Sequence, residues 1–252
     1  MKVLFIGDVF GTRGQVALEK YLPKMKQDYH PDLIIVNGEN IDKGFGMTLK
    51  TYKFLMEQGV RCVTMGNHTF SKRELLEFID DANIVRPANY HKDVPGKGVQ
   101  ILRFNDKTVA VINIMGRIFM GDPLDNPFQV IDTLLDEIDA DYIIVDFHGE
   151  ATSEKLAFGH YVDGRVDAVV GTHTHVPTAD AMILPKNTLY ITDIGMTGAK
   201  YGILGGEKES IIHKFVTGMP SRIKEDTSKK LQFNAVLLDV ENHTIKAINI
   251  HE

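Results

Sequence analysis

Short apolar runs that stop at a glycine and hand over to a carboxylate, a carboxamide or an imidazole recur along this chain, and they constrain its fold more than any other feature. The run Leu33-Ile34-Ile35-Val36 is continuously apolar, as expected of a strand covered on both faces. It follows a strand at residues 2–6, a turn through Gly11 and Gly14, and a helix over about residues 15–29 whose apolar face is Val16, Leu18, Leu22 and Met25. Strand, helix, strand predicts a parallel pair. Ligand groups in such sheets gather just beyond the carboxyl ends of the strands. That rule selects Gly7-Asp8-Val9-Phe10-Gly11 and Asn37-Gly38-Glu39-Asn40. After a helix at residues 48–58 and a third strand at 61–65 it also selects Gly66-Asn67-His68-Thr69-Phe70.

The rest of the chain continues the alternation with one interruption. Ser71-Lys72-Arg73-Glu74 reads as a capping box opening a helix that carries Leu75, Leu76 and Ile79. Strands at 99–104 and 108–114 around Asn105-Asp106 read as a hairpin, which in a parallel alternation implies a second sheet. Phe128, Ile131, Leu134, Leu135 and Ile138 then mark an amphipathic helix. It feeds a strand at 142–146 ending in Phe147-His148-Gly149-Glu150. A short helix at 153–160 leads to a strand at 168–170 and to Gly171-Thr172-His173-Thr174-His175. In an extended segment the i, i+2 spacing puts both imidazoles on one side. Beyond lie a strand near 189–193, a glycine-rich loop from Gly195 to Gly206 that borders the pocket, and a closing hairpin at 233–240 and 244–250.

Composition narrows the function. The net charge of -6 argues against a general nucleic-acid binder held by phosphate neutralisation. A small phosphate ester stays open where metal ions supply the positive charge. The opening apolar run ends at Gly7, too short for a signal peptide or a membrane span. The single cysteine, Cys62, forms no internal disulfide and reads as a buried strand thiol, which fits a cytoplasmic protein.

Collected by position, the strand ends offer Asp8, Glu39, Asn40, Asn67, His68, His148, His173 and His175. Mixed carboxylate and imidazole donors suit Mn, Fe or Zn, whereas an all-oxygen set suits Mg or Ca. Two such ions about 3.5–4 Å apart need one bridging carboxylate and clamp a phosphoryl group. Taken singly, each residue has a plainer role. Asp8 and Glu39 would serve as helix caps, Asn40 and Asn67 as turn residues, and His148 as a satisfied core histidine. His30, His91, His160, His213, His243 and His251 lie outside these blocks and read as surface or structural.

Gly-Asp, Gly-Glu-Asn, Gly-Asn-His, a lone strand-end His-Gly and Gly-Thr-His-Thr-His, in this order, resemble the motifs of the calcineurin-like metallophosphoesterases. The sequence departs from the usual blocks at Phe10, where a histidine is expected, at Glu39, where the bridging residue is Asp, and at Thr69, where an acidic residue follows Asn-His. Those departures, with Thr178-Ala179-Asp180 and the stretch from Thr192 to Gly198, resemble the YmdB-type phosphodiesterase branch.

The resemblance implies an α/β fold, a four-layer αββα sandwich of two mixed sheets flanked by helices, as one domain over 1–252. It implies two divalent transition-metal ions, Fe or Mn ahead of Zn or Mg. Asp8, Glu39, Asn40 and His175 would hold one and Glu39, Asn67, His148 and His173 the other, with His68 over the substrate, either protonating the leaving oxygen or stabilising charge there. It implies in-line attack of a metal-bound hydroxide on a cyclic nucleotide, 2′,3′-cyclic AMP first and 3′,5′-cyclic substrates second. Gly195, Thr197 and Gly198 are the candidate phosphate contacts, through backbone N–H groups. The rival readings are a phosphomonoesterase or nucleotidase, and a regulatory protein acting through an RNA-processing partner. A homo-oligomer is the family-level expectation.

Overall fold

The computed structural model describes residues 1–222 and 224–252. One sheet runs in the order β11 (Gly198–Ala199), β12 (Leu231–Asp239), β1 (Lys2–Ile6), β2 (Leu33–Asn37), β3 (Cys62–Thr64), β4 (Ile84–Val85), with β13 (Thr244–His251) also paired to β12. The strands from β1 to β4 are parallel, with Val3 opposite Leu33 and Ile35 opposite Cys62, while β12 lies antiparallel to β1. The second sheet runs β5 (Val99–Phe104), β6 (Lys107–Met115), β7 (Tyr142–His148), β8 (Ala168–Thr172), β10 (Leu189–Ile191), β9 (Met182–Ile183). The expected hairpin opens this sheet as the antiparallel pair β5 and β6, turning at Asn105 with φ 55°.

Alternation along the strands sorts apolar side chains into three layers. Val3 and Phe5 of β1, Leu33 and Ile35 of β2, Val109 and Val111 of β6, and Ala168 and Val170 of β8 meet between the sheets. Leu4, Ile6, Ile34 and Val36 point the other way, onto Leu18, Leu22 and Met25 of α1 (Gly11–Tyr29) and Leu55 of α2 (Leu49–Glu57). On the far side, Val145, Phe147, Val169 and Tyr190 pack with Ile131 of α3 (Pro127–Glu137) and Phe158 of α4 (Thr152–Tyr161). Two sheets face to face with helices outside are the four-layer sandwich. Each fully buried Leu, Ile, Val or Phe contributes about 1.5–3 kcal/mol.

Local departures from the sequence reading have local causes. The helix α1 begins at Gly11 rather than near residue 15: its N-cap residue Phe10 has no side-chain cap bond, and the Glu225 carboxylate beside Gly11 accepts from the Arg13 amide in its place. Residues 71–79 form no α-helix. Two short 3₁₀ turns, Thr69–Ser71 and Arg73–Glu77, are split by an extended Lys72, and the Glu74 carboxylate instead accepts from the Leu49 amide at the start of α2. Strands β4, β9 and β11 and helix α5 (Lys208–Thr217) also go beyond the sequence reading. Cys62 is fully buried on β3, and burial pushes its thiol up. Among the described residues no helix is long and apolar enough to cross a membrane.

Candidate metal centre

The carboxyl ends of β1, β2 and β3 in one sheet and of β7 and β8 in the other converge at one edge of the sandwich. Glu39, His148 and His173 each offer a donor atom within 4.8 Å of the others'. His148 Nε2 lies 3.3 Å from Glu39 Oε1, 3.0 Å from Asn67 Oδ1 and 3.1 Å from His173 Nδ1. Beside this group, His175 Nε2 lies 3.2 Å from Asn40 Oδ1 and 3.9 Å from Asp8 Oδ1. All seven expected donors are therefore brought together. The alternative cap roles fail: helix α1 is capped at Phe10 and α2 at Thr48, not by Asp8 or Glu39.

The histidines arrive by a different backbone from the one the spacing suggests. His173 and His175 sit past the end of β8 with φ of 101° and 65°, so they belong to a left-handed turn and not to an extended segment. Both still line one cleft. Each of the three imidazoles has its other ring nitrogen engaged, the arrangement that ligating histidines show. His148 Nδ1 lies 2.8 Å from Thr172 Oγ1, His173 Nε2 3.2 Å from Glu150 Oε2, and His175 Nδ1 3.1 Å from the Leu204 carbonyl.

Behind the donors lies a polar plug that the sequence reading missed. The Thr172 hydroxyl donates to Asp146 Oδ1 at 2.7 Å, and the Asp146 carboxylate also accepts from Thr64 and from Asn37 Nδ2. Asn37, Thr64, Asp146, His148 and Thr172 all occupy inward positions of their strands, in phase with Ile35, Cys62, Ile144 and Val170. The available signal was a period of two that turns polar only at the last inward positions.

Electrostatics show what such a site calls for. Burial raises the Asp8 carboxyl, and the neighbouring Asp193 charge raises it further. Burial also raises Asp146. Burial alone would raise Glu39 too, but the His148 imidazole and the His68 amide hold it down at about 2. Burial works against charge on His148, yet Glu39 and then Asp8 lift it to about 9. Burial and the His148 charge push His173 down to about 3, and burial lowers His175. The donor set fits divalent transition metals, mixed in O and N and backed by carboxylate, hydroxyl and carbonyl partners.

Above the donors opens a cleft of about 380 Å³. Glu39, Asn40, His68, His173 and His175 form its floor, and Phe45, Ile203, Leu204 and Phe215 are among its walls. His68 packs edge-on against Phe45, with ring centroids 5.0 Å apart. Phe10, in the place of a family histidine, fits between Gly44 and Gly205 and sets its ring edge-on to His175 at 5.6 Å. Gly195, Thr197 and Gly198 do not reach the cleft. Gly195 donates to Asp193 and packs on Pro177, the Thr197 hydroxyl donates to the Asn234 carbonyl, and Gly198 pairs with Gln232 in β11. The Thr197 amide and hydroxyl tie the segment to Asp8 and to Asn234 of β12, and the loop meets the cleft through Ile203, Leu204 and Gly206.

A four-layer sandwich with this cluster at its strand ends is the architecture of the calcineurin-like phosphoesterases. Within that class the chain belongs to the YmdB-like protein family, which matches residues 4–252. A Bacillus subtilis relative named 2′,3′-cyclic-nucleotide 2′-phosphodiesterase is 50% identical, over 99% of this chain and 95% of its own length. A crystal structure of a hypothetical protein from Thermus thermophilus superimposes with a TM-score of 0.95 at 45% identity, over 100% of both chains. That of a novel phosphatase from Mycoplasma pneumoniae gives 0.93 at 39%, over 100% of this chain and 94% of the other.

Proposed function

We propose that the chain is a metal-dependent phosphodiesterase that hydrolyses nucleoside 2′,3′-cyclic phosphates, with 3′,5′-cyclic nucleotides as a second substrate class. The observation that carries this reading is the continuity of the donor cluster with an aromatic-walled cleft. Phosphate belongs on the floor and the base against Phe45 and Phe215, since aromatic faces stack on any nucleobase. The name of the Bacillus subtilis relative supports the same substrate.

Asp8, Asn40 and His175 would hold one ion and Asn67, His148 and His173 the other, with Glu39 shared. When bound, two Fe or Mn ions, or Zn or Mg in their place, supply Lewis acidity toward phosphoryl oxygen and water. The chain's own groups do the rest. Glu39 takes the His68 amide at 3.0 Å, which fixes His68 at the cleft floor. From there its imidazole would pass a proton to O2′ as the P–O2′ bond breaks, while water's oxygen bonds to phosphorus and the proton water sheds goes to solvent, from which His68 is reprotonated, leaving a 3′-monophosphate. The apolar walls would flank the sugar and base.

The test is reconstitution with Mn, Fe, Zn or Mg and assay against 2′,3′-cyclic AMP, 3′,5′-cyclic AMP and 3′-AMP. Preferred turnover of the 2′,3′-cyclic diester, lost in Glu39→Gln, is expected. Turnover of the monoester alone would make the protein a phosphatase, and no turnover with any metal would sink the enzyme reading.

A further inference from the structure

Among the described residues Lys155 is the one lysine of the buried core, 1% exposed on α4 beneath the end of β8, and neither substrate nor metal donor accounts for it. Its ammonium donates to the Thr172 carbonyl at 2.6 Å and to Asp193 Oδ2 at 2.7 Å. Asp193 is also fully buried, and its carboxylate does two further things. Oδ2 accepts from the Thr174 amide at 3.0 Å, and Oδ1 accepts from the Gly195 amide at 2.8 Å. Thr174 is the residue between His173 and His175. Thr172 is the residue before them, and its side chain already orients His148.

We propose that Lys155, acting through Asp193 and the Thr172 carbonyl, is a positioning residue that holds the His173–His175 turn in the left-handed geometry aiming both imidazoles at the metal centre. The proposal rests on the metal-centre reading above. The turn needs an external clamp because two imidazole-bearing residues at positive φ, two positions apart, are intrinsically disfavoured for side chains with a β-carbon. Asp193 supplies the clamp by accepting the one amide between them. A lone carboxylate there would be costly to bury and would repel Asp8, on which its charge already acts. Lys155 supplies the opposite charge and grips the same turn from the Thr172 side. Close backbone contacts complete the joint: a β-carbon on Gly171 would collide with the Thr192 carbonyl, and one on Gly7 with the Gly195 carbonyl. The ends of β1 and β8 are therefore locked to the segment after β10, around this one ion pair.

The experiment compares full-length wild type, Lys155→Met, Lys155→Arg and the double variant Lys155→Met with Asp193→Asn. It reads Mn²⁺ binding by calorimetry, kcat and KM for 2′,3′-cyclic AMP, and melting in chelator. Lys155→Met is expected to weaken Mn²⁺ binding about 10–100-fold, as loss of groups supporting metal ligands does. It should lower kcat more than KM because the cleft walls are untouched, and Lys155→Arg should restore most of both. The double variant leaves no orphan charge, so it keeps the test readable even where the single variant is too destabilised to assay. It should show the same loss of Mn²⁺ affinity. Wild-type affinity in Lys155→Met or in the double variant, with only melting lowered, would overturn the proposal. Wild type that binds no Mn²⁺ would instead sink the metal-centre reading. A crystal structure of the double variant then decides, since retained left-handed φ at 173 and 175 counts against Lys155.

Discussion

Replacing Gly66 with alanine probes the convergence of the donors with a single methyl group. A β-carbon at this position would lie 2.3 Å from His148 Nε2 and 2.4 Å from Glu39 Oε2, well inside contact distance of both. Both side chains are buried, His148 at 0% and Glu39 at 1% exposed, and a shift of Glu39 toward the cleft it lines would itself displace a donor. The backbone raises no objection, because Gly66 is not among the positive-φ glycines. The clash therefore acts alone. Overpacking of this kind costs about 1–3 kcal/mol, and at roughly 2–4 °C per kcal/mol for a chain of this size the melting temperature should fall by about 2–12 °C. The larger effect is on chemistry, since a displacement of about 1 Å in a catalytic group costs on the order of 10²-fold in rate. Melting in chelator, Mn²⁺ titration and turnover of 2′,3′-cyclic AMP together separate the two effects. Alanine at 66 with undiminished turnover and Mn²⁺ affinity would refute the convergence of His148 and Glu39 at this point.

Other perturbations address separate parts of the site. His173→Ala and His175→Ala should each lower bound metal from two ions toward one per chain, with a different ion lost first, and metal analysis showing equal loss of both would contradict the split. Thr172→Val strands His148 Nδ1 and one oxygen of Asp146 without a partner, so urea denaturation should show about 1–3 kcal/mol less stability. Asp180 sits away from the donors. Burial raises its carboxyl, but the hydroxyls of Thr178 and Thr192 outweigh that and hold it below the ordinary value. A depressed folded pKa contributes stability above the unfolded value of about 3.9 that is lost as pH falls below it. The urea midpoint of Asp180→Asn should therefore lie below wild type at pH 7, with the gap closing toward pH 3, and a constant gap would argue against the assignment.

What was legible in the sequence was whatever a period or a strand end could encode. Continuous apolar runs such as residues 33–36 announced buried parallel strands, and the glycines after them announced the donor turns, because both are set by the chain's own neighbours. Helix α5 was not legible, since it buries only Ile211 while Ile212, Phe215 and Val216 remain exposed, so its apolar residues mark no single face. The two-residue strands β4, β9 and β11 exist only because a longer strand lies beside them. Among site residues, Asp146 stood inside an apolar run and looked like its end. Its role depends on Thr64 and Asn37, which come from the opposite sheet. Lys155 and Asp193 were equally silent, as their pairing spans 38 positions and no local pattern announces it.

The division of the donor set between the two sheets has a mechanical consequence. Asp8, Glu39, Asn40 and Asn67 follow strands of one sheet, and His148, His173 and His175 end or follow strands of the other. A ligand gripping both groups acts as a clasp across the seam of the sandwich. Sliding or parting the two sheets then requires the clasp to open, so occupancy should resist shear along the seam and raise the force and the time needed to pull the sheets apart.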